Sequence, residues 1–208
     1  MTNKNTKKDA LNKSPFFISY FITDPGEFGN TNESLEKNLS KSLSKHQVNM
    51  LCFRDKESKD IRSLAKTALN VSKKYNIPKV LINNNLELAL ELGFDGIHLT
   101  STQFDKIKIA KLNNLYTIIS CHSEDEIRLA KKLGSDAVTY SPIFFKENKG
   151  SPKGINNLKN MVEKYQDKNF SIIALGAIVS DVQVMQIQTT KASGFASIRY
   201  FRNGLFYL

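Results

Sequence analysis

Short apolar runs rich in β-branched and aromatic residues recur along the chain, and each switches abruptly to polar residues before a stretch with apolar positions at helical spacing. The clearest example lies in the middle. Tyr116-Thr117-Ile118-Ile119-Ser120 reads as a strand and turns polar at Cys121-His122-Ser123-Glu124. Ile127, Ala130 and Leu133 then share one helical face, Ser123 with Glu126 has the form of a capping box, and Gly134 stands where that helix should stop. Ala137-Val138-Thr139-Tyr140 is the next strand, broken by Ser141-Pro142. A helix crossing between two such strands is a parallel βαβ unit, whose ligand-facing groups lie past the carboxyl ends of the strands. His122 and the loop 141–154 are therefore expected on one face.

The same alternation runs through the rest of the sequence. Strands are expected at 17–22, 48–53, 79–82, 96–99, 116–120, 137–140, 170–174 and 194–198, with helices at 34–45, 61–72, 86–92, after a Thr100-Ser101-Thr102 cap through 112, 155–165 and 181–188. Eight strands alternating with helices predict an α/β protein built as a compact (β/α)8 TIM barrel, with an open doubly wound sheet as the alternative. The stretch 200–208 is too short for a full eighth helix, so the mouth beside the last strand is expected to be under-covered or completed by a partner chain, as in a homo-oligomer. Residues 1–14 are polar, lysine-rich and aperiodic, and are expected to be a disordered tail before a single domain over 15–208.

Composition narrows the classes. A 40% hydrophobic, 24% charged chain can bury a substantial core. No membrane span or secretory leader is legible, which predicts a cytoplasmic protein with no membrane partner. Cys52 and Cys121 have no metal spacing and read as reduced thiols. The net charge of +10 comes from scattered lysines and reads as a solvated surface, with no nucleic acid as partner. Arginine is confined to Arg54, Arg62, Arg128, Arg199 and Arg202, so an arginine at a strand end carries more information than a lysine.

Polar groups at the strand ends, Thr23, Asp24, Arg54, Lys56, Asn83, Asn84, His98, His122, Ser141, Lys149, Gly176 and Arg199, should ring one mouth of the barrel. Leu175-Gly176-Ala177 sets backbone N–H groups near a helix start, and Arg199 follows the last strand, so Gly176, Ala177 and Arg199 form a candidate phosphate site. His122 is a candidate acid/base, because an imidazole gains or loses a proton near neutrality. His98 is expected to be packed and His46 to lie at the far end. No carboxylate pair stands at the strand ends, which argues against a divalent metal held by the protein.

The motifs together resemble the thiamine phosphate synthase / TenI superfamily. The resemblance rests on Tyr20-Phe21-Ile22-Thr23-Asp24, Arg54-Asp55-Lys56, the stretch from Leu81-Ile82-Asn83-Asn84-Asn85, Asp95-Gly96-Ile97-His98-Leu99 and Ser120-Cys121-His122-Ser123. Ser141-Pro142-Ile143-Phe144 with Lys149 and Gly154, and Ala174-Leu175-Gly176-Ala177-Ile178, complete it. Synthases of that superfamily join a pyrimidine diphosphate to thiazole phosphate with magnesium on two aspartates, and the corresponding positions are Asn84 and Gln103. Cys52 replaces a glutamine, Ser141 stands in the place of a glycine, Ala177 replaces the second glycine of the phosphate turn, and Arg199 replaces a serine.

TenI-type relatives lack those aspartates too and shift a proton on a thiazole carboxylate phosphate to give its aromatic tautomer. The resemblance thus implies a small phosphorylated thiazole-type substrate and no cofactor, with Mg2+ only if the chain is a synthase. His122 would be the acid/base. Arg54, Lys56, Asn83, Asn84 and Lys149 would contact the substrate's carboxylate and polar groups, and Gly176, Ala177 and Arg199 its phosphate. The competing expectations are a divergent synthase and a non-catalytic binder of a phosphorylated ligand.

Overall fold

The computed structural model describes residues 17–145 and 151–202. The expected tail 1–14 and Lys149 lie outside the described residues. Eight parallel strands, β1 (Ile18–Ile22), β2 (Met50–Phe53), β3 (Val80–Asn83), β4 (Gly96–Leu99), β5 (Tyr116–Cys121), β6 (Ala137–Tyr140), β7 (Ser171–Leu175) and β8 (Gly194–Ser197), pair in sequence order. The sheet closes through β1 and β8, with Ile18 opposite Gly194 and Tyr20 opposite Ala196. This is the (β/α)8 barrel.

The helices are α1 (Pro25–Phe28), α2 (Asn32–Leu43), α3 (Ile61–Lys74), α4 (Leu86–Leu92), α5 (Lys106–Leu112), α6 (Glu124–Leu133), α7 (Gly154–Tyr165), α8 (Asp181–Gln188) and α9 (Arg199–Arg202). Among the described residues, no helix is long and apolar enough to cross a membrane.

Side-chain alternation along the strands produces two cores. One parity points into the barrel, where Tyr20, Met50, Cys52, Leu81, Ile118, Ala137, Ile173 and Ala196 pack together. The other points outward, where Phe21, Leu51, Ile82, Ile97, Ile119, Val138, Ile172 and Phe195 meet the helices. Cys52 belongs to the inner core and Cys121 to the outer, both free and buried, so the two thiols face opposite sides of the sheet.

The local signals explain where elements start and stop. Ser123 Oγ accepts from the Glu126 N–H while the Glu126 carboxylate accepts from the Ser123 N–H, so the capping box at α6 is real, and Gly134 takes the left-handed conformation that ends the helix. β2 begins two residues later than its apolar run, because the Asn49 side chain spans to β1, accepting from Ser19 N–H at 2.9 Å and donating to Phe17 O at 3.2 Å.

The cap expected at Thr100-Ser101-Thr102 is corrected. Gln103 Oε1 accepts from Thr100 N–H and Oγ1, and Gln103 N–H donates to Thr100 O, closing a tight turn on itself. Helix α5 starts only at Lys106, where Asp105 makes no side-chain cap.

Two four-residue helices escaped the periodicity argument. Asp24 caps α1 and Pro25 opens it, while α9 runs from Arg199 directly after β8. Phe201 of α9 is buried, stacks on Phe21 at 4.7 Å between centroids and receives a hydrogen bond from the Ser42 hydroxyl, so the outer side of β8 is covered from within the chain.

Candidate active site

A cavity of about 710 Å³ opens at the carboxyl ends of the strands, where barrels of this kind hold ligands. Another of about 690 Å³ lies at the opposite end, so size does not choose between them. Their linings do: the far-end cavity has Lys168 beside the Lys131–Asp167 pair and no histidine, whereas the carboxyl-end cavity brings His98 and His122 together with Lys56 and Arg199, which pair with no carboxylate among the described residues.

His122 follows β5 and lines the cavity with an exposed side chain. Its Nδ1 lies 3.1 Å from the Ser141 carbonyl oxygen and 3.2 Å from Ser141 Oγ. A carbonyl oxygen only accepts, so its partner assigns the hydrogen to Nδ1 and the lone pair of the neutral ring to Nε2, which has no protein partner among the described residues. The main chain is held as well, since the Glu126 carboxylate that caps α6 also accepts from the His122 N–H.

His98 meets the expectation of a packed side chain, though it is packed inside the barrel, beneath the cavity. Nδ1 is 3.0 Å from the Tyr20 hydroxyl, and Nε2 is 3.1 Å from Ser120 Oγ and 3.3 Å from Thr139 Oγ1. Burial, reinforced by the Arg54 charge, pushes its pKa down to about 4, so it is neutral at physiological pH. Burial likewise pushes the Cys52 thiol up to about 12 and raises that of Cys121, which leaves both thiols protonated. The strand alternation carried the signal for this polar floor: His98, Ser120 and Thr139 each stand two residues after an inward position, Gly96, Ile118 and Ala137, along their strands.

On the β7 and β8 side, Gly176 has φ +109° and Ala177 φ +54°, and the two residues turn the chain away from the sheet. A Cβ on Gly176 would stand 2.7 Å from Pro142 Cα, so only glycine fits against the cis Ser141-Pro142 segment. The N–H groups of Gly176, Ala177 and Ile198 find no acceptor among the described residues, and exposed Arg199 lines the cavity beside them. Free amides beside a guanidinium make a site suited to a phosphate dianion.

Arg54 and Lys56 come from β2 and its loop and reach the same cavity, but Arg54 is already paired with Asp24, the α1 cap. The Lys56 loop is fixed by Asp55, which accepts from Glu57 N–H, Ser58 N–H and Ser58 Oγ; the hydrogen bonds of that loop hold the Asp55 carboxyl below the usual range against the opposing cost of burial.

Asn83 lines the cavity and donates to the His98 carbonyl at 2.8 Å. Asn84 is corrected: it adopts φ +61°, donates its N–H to His98 O and is not on the cavity wall. Thr23 also leaves the ring of mouth residues, buried and exchanging hydrogen bonds with the Arg54 main chain.

The residues present do not fit a protein-held magnesium ion. Of the two positions that would supply carboxylates, Asn84 is neutral and does not line the cavity, and the Gln103 oxygen is occupied by Thr100. Among the described residues no three His, Cys, Asp or Glu side chains cluster for a metal. Among the described residues, the acidic groups that line this cavity, Asp24 and Glu27, are paired with Arg54 and Arg202.

A barrel described as a thiamine phosphate pyrophosphorylase from Pyrococcus furiosus shares the fold at a TM-score of 0.69 and 19% identity, over 87% of this chain and 85% of that one. A second thiamine-phosphate synthase of Aquifex aeolicus, provisionally so named, is 34% identical over 88% of this chain and 96% of its own length. The thiamine-phosphate synthase of Latilactobacillus sakei is 31% identical over 73% and 72%. The family described as thiamine monophosphate synthase, TMP-TENI, matches residues 19–201, and the chain belongs to that family.

Proposed function

We propose that this protein acts in thiamine biosynthesis as a TenI-like thiazole tautomerase. The observation that carries the reading is His122, whose Nδ1 is tied to the Ser141 carbonyl at 3.1 Å while Nε2 is left for a substrate.

A thiazole carboxylate phosphate would set its phosphate on the Gly176, Ala177 and Ile198 amides and Arg199, and its carboxylate toward Lys56 and Arg54. The neutral Nε2 then takes a proton from one carbon of the ring system. The imidazolium so formed keeps its Nδ1–H on Ser141, exchanges its Nε2 hydrogen with solvent, and delivers a proton to a second carbon as the ring becomes aromatic. One C–H bond breaks, one forms, and nothing leaves, so the step needs a positioned base and a fixed anion, with no metal or other cofactor. General acid–base catalysis of this kind contributes about 10²–10⁴-fold.

The names of the curated relatives favour a second reading, a transferase that forms thiamine phosphate with magnesium carried by diphosphate and water. Both activities are read by NMR in D2O. The first reading expects metal-independent deuterium incorporation into the aromatic thiazole carboxylate phosphate. Thiamine phosphate formation at useful rates, dependent on magnesium and with no tautomerisation, would sink it.

A further inference from the structure

Counting the hydrogens around His122 leaves one donor over. The Ser141 carbonyl forces Nδ1 to carry a hydrogen, so Ser141 Oγ, 3.2 Å from the same nitrogen, meets a donor and can only accept from it. The hydroxyl's own hydrogen then has no acceptor among the described residues, although the residue is only 7% exposed and lines the cavity. A buried hydroxyl with an idle hydrogen is costly unless something arrives to accept it. The next residue, Pro142, packs against Gly176, so Ser141 stands between the imidazole and the phosphate turn.

We infer that the Ser141 hydroxyl donates a hydrogen bond to a phosphate oxygen of the ligand, making Ser141 a ligand-binding and specificity-determining residue of this chain. A glycine in this place, as in the motif the sequence resembles, has no such group. The inference rests on the reading of the cavity as a site for a phosphorylated thiazole and holds for either reaction. It also gives the serine a second part. The same oxygen that orients the ligand accepts from Nδ1–H, so the bound phosphate and the base share one bridging group and their positions are linked.

The test is binding of thiazole phosphate, which carries no carboxylate and does not turn over alone, by calorimetry. Ser141→Ala and Ser141→Gly should weaken it about tenfold, Ser141→Thr should stay within about threefold of the parent, and the dephosphorylated thiazole alcohol should bind parent and alanine variant alike. Matching melting temperatures confirm that the variants fold. Unchanged affinity in both the Ala and Gly variants overturns the inference.

A parent that binds no thiazole phosphate overturns the functional reading instead, and the serine is then judged from the ring ¹⁵N shifts of His122. The Nδ1–H tautomer supports an idle serine hydrogen. The Nε2–H tautomer means that the serine spends its hydrogen on Nδ1, and it refutes the inference.

Discussion

His98 and His122 stand on adjacent strand ends of one cavity, and the same side chain does different work at each. Both nitrogens of His98 are engaged, with Tyr20 on one side and Ser120 and Thr139 on the other, under full burial. One assignment engages both nitrogens: Tyr20 donates to Nδ1, Nε2–H donates to the two hydroxyls, and Thr139 donates to Ser120, whose own hydrogen has no acceptor among the described residues but whose side chain lines the cavity. His122 is exposed and half-engaged, lining the cavity with Nδ1 on Ser141 and Nε2 without a protein partner among the described residues. A histidine with both nitrogens satisfied inside a barrel has become a structural polar group, whereas one fixed by a single nitrogen at the rim remains a base with a direction.

The largest expected effect breaks this contrast if it fails. His122→Asn should reduce thiazole tautomerisation about 10³-fold while leaving the denaturation midpoint nearly unchanged, since the ring is exposed and its loss orphans only a carbonyl that water can reach. A residual rate within tenfold of the parent would take the chemistry away from His122.

His98→Leu should do the reverse. It leaves the buried Tyr20 hydroxyl and the Ser120–Thr139 pair without their shared partner, and should cost about 3 kcal/mol in urea denaturation. A variant as stable as the parent would show that the polar floor is dispensable to the fold.

The same contrast appears in the pH dependence of stability. Unfolded, the His98 imidazole takes up a proton near its ordinary 6.5; folded, burial holds it off until about 4. Between those values the unfolded state binds more protons, so stability falls as pH drops from about 6.5 toward 4, by about 3 kcal/mol in all, and is flat above. Replacing His98 by Leu should remove that slope from urea titrations across this window. A parent curve that stays level down to pH 4 would mean that His98 is not held neutral.

Much of this was legible in the residues. All eight strands are marked by short apolar runs ending in polar switches, and α6 is written in full by Ser123, Glu126 and Gly134. What escaped had physical reasons. Helices α1 and α9 are four residues long and have no room for an amphipathic period, and Thr100 spent its groups on Gln103 in place of capping. At the site, His122, Arg54, Lys56, Asn83, Gly176, Ala177 and Arg199 were brought together around the cavity as strand-end residues should be. Asn84 does not line that cavity, and its backbone is left-handed at the strand end. That Asp24 would pair with Arg54 depended on α1, which periodicity could not reveal.

The phosphate side sharpens the contrast from the substrate's end. If His122 works in a fixed direction, an anion anchor must set which carbon it meets, and among the described residues Arg199 is a cation lining the cavity beside the unpaired Gly176, Ala177 and Ile198 amides. Arg199→Ser should raise KM for the phosphorylated substrate about tenfold and reduce the sensitivity of KM to salt, with a smaller loss in kcat. Equal salt dependence in parent and variant would place the phosphate elsewhere.

The smallest effect separates the two sides of His98. Nε2 has two hydroxyl partners, so Ser120→Ala leaves Thr139 at 3.3 Å to receive its hydrogen, and the loss should stay below about 1 kcal/mol. Nδ1 has Tyr20 alone, so Tyr20→Phe leaves a fully buried nitrogen lone pair with no donor and should cost about 2 kcal/mol, despite conserving the ring's volume. Urea denaturation of the two variants measures the difference. Equal losses would mean that Thr139 does not back up Ser120, and that His98 depends on both sides of its network alike.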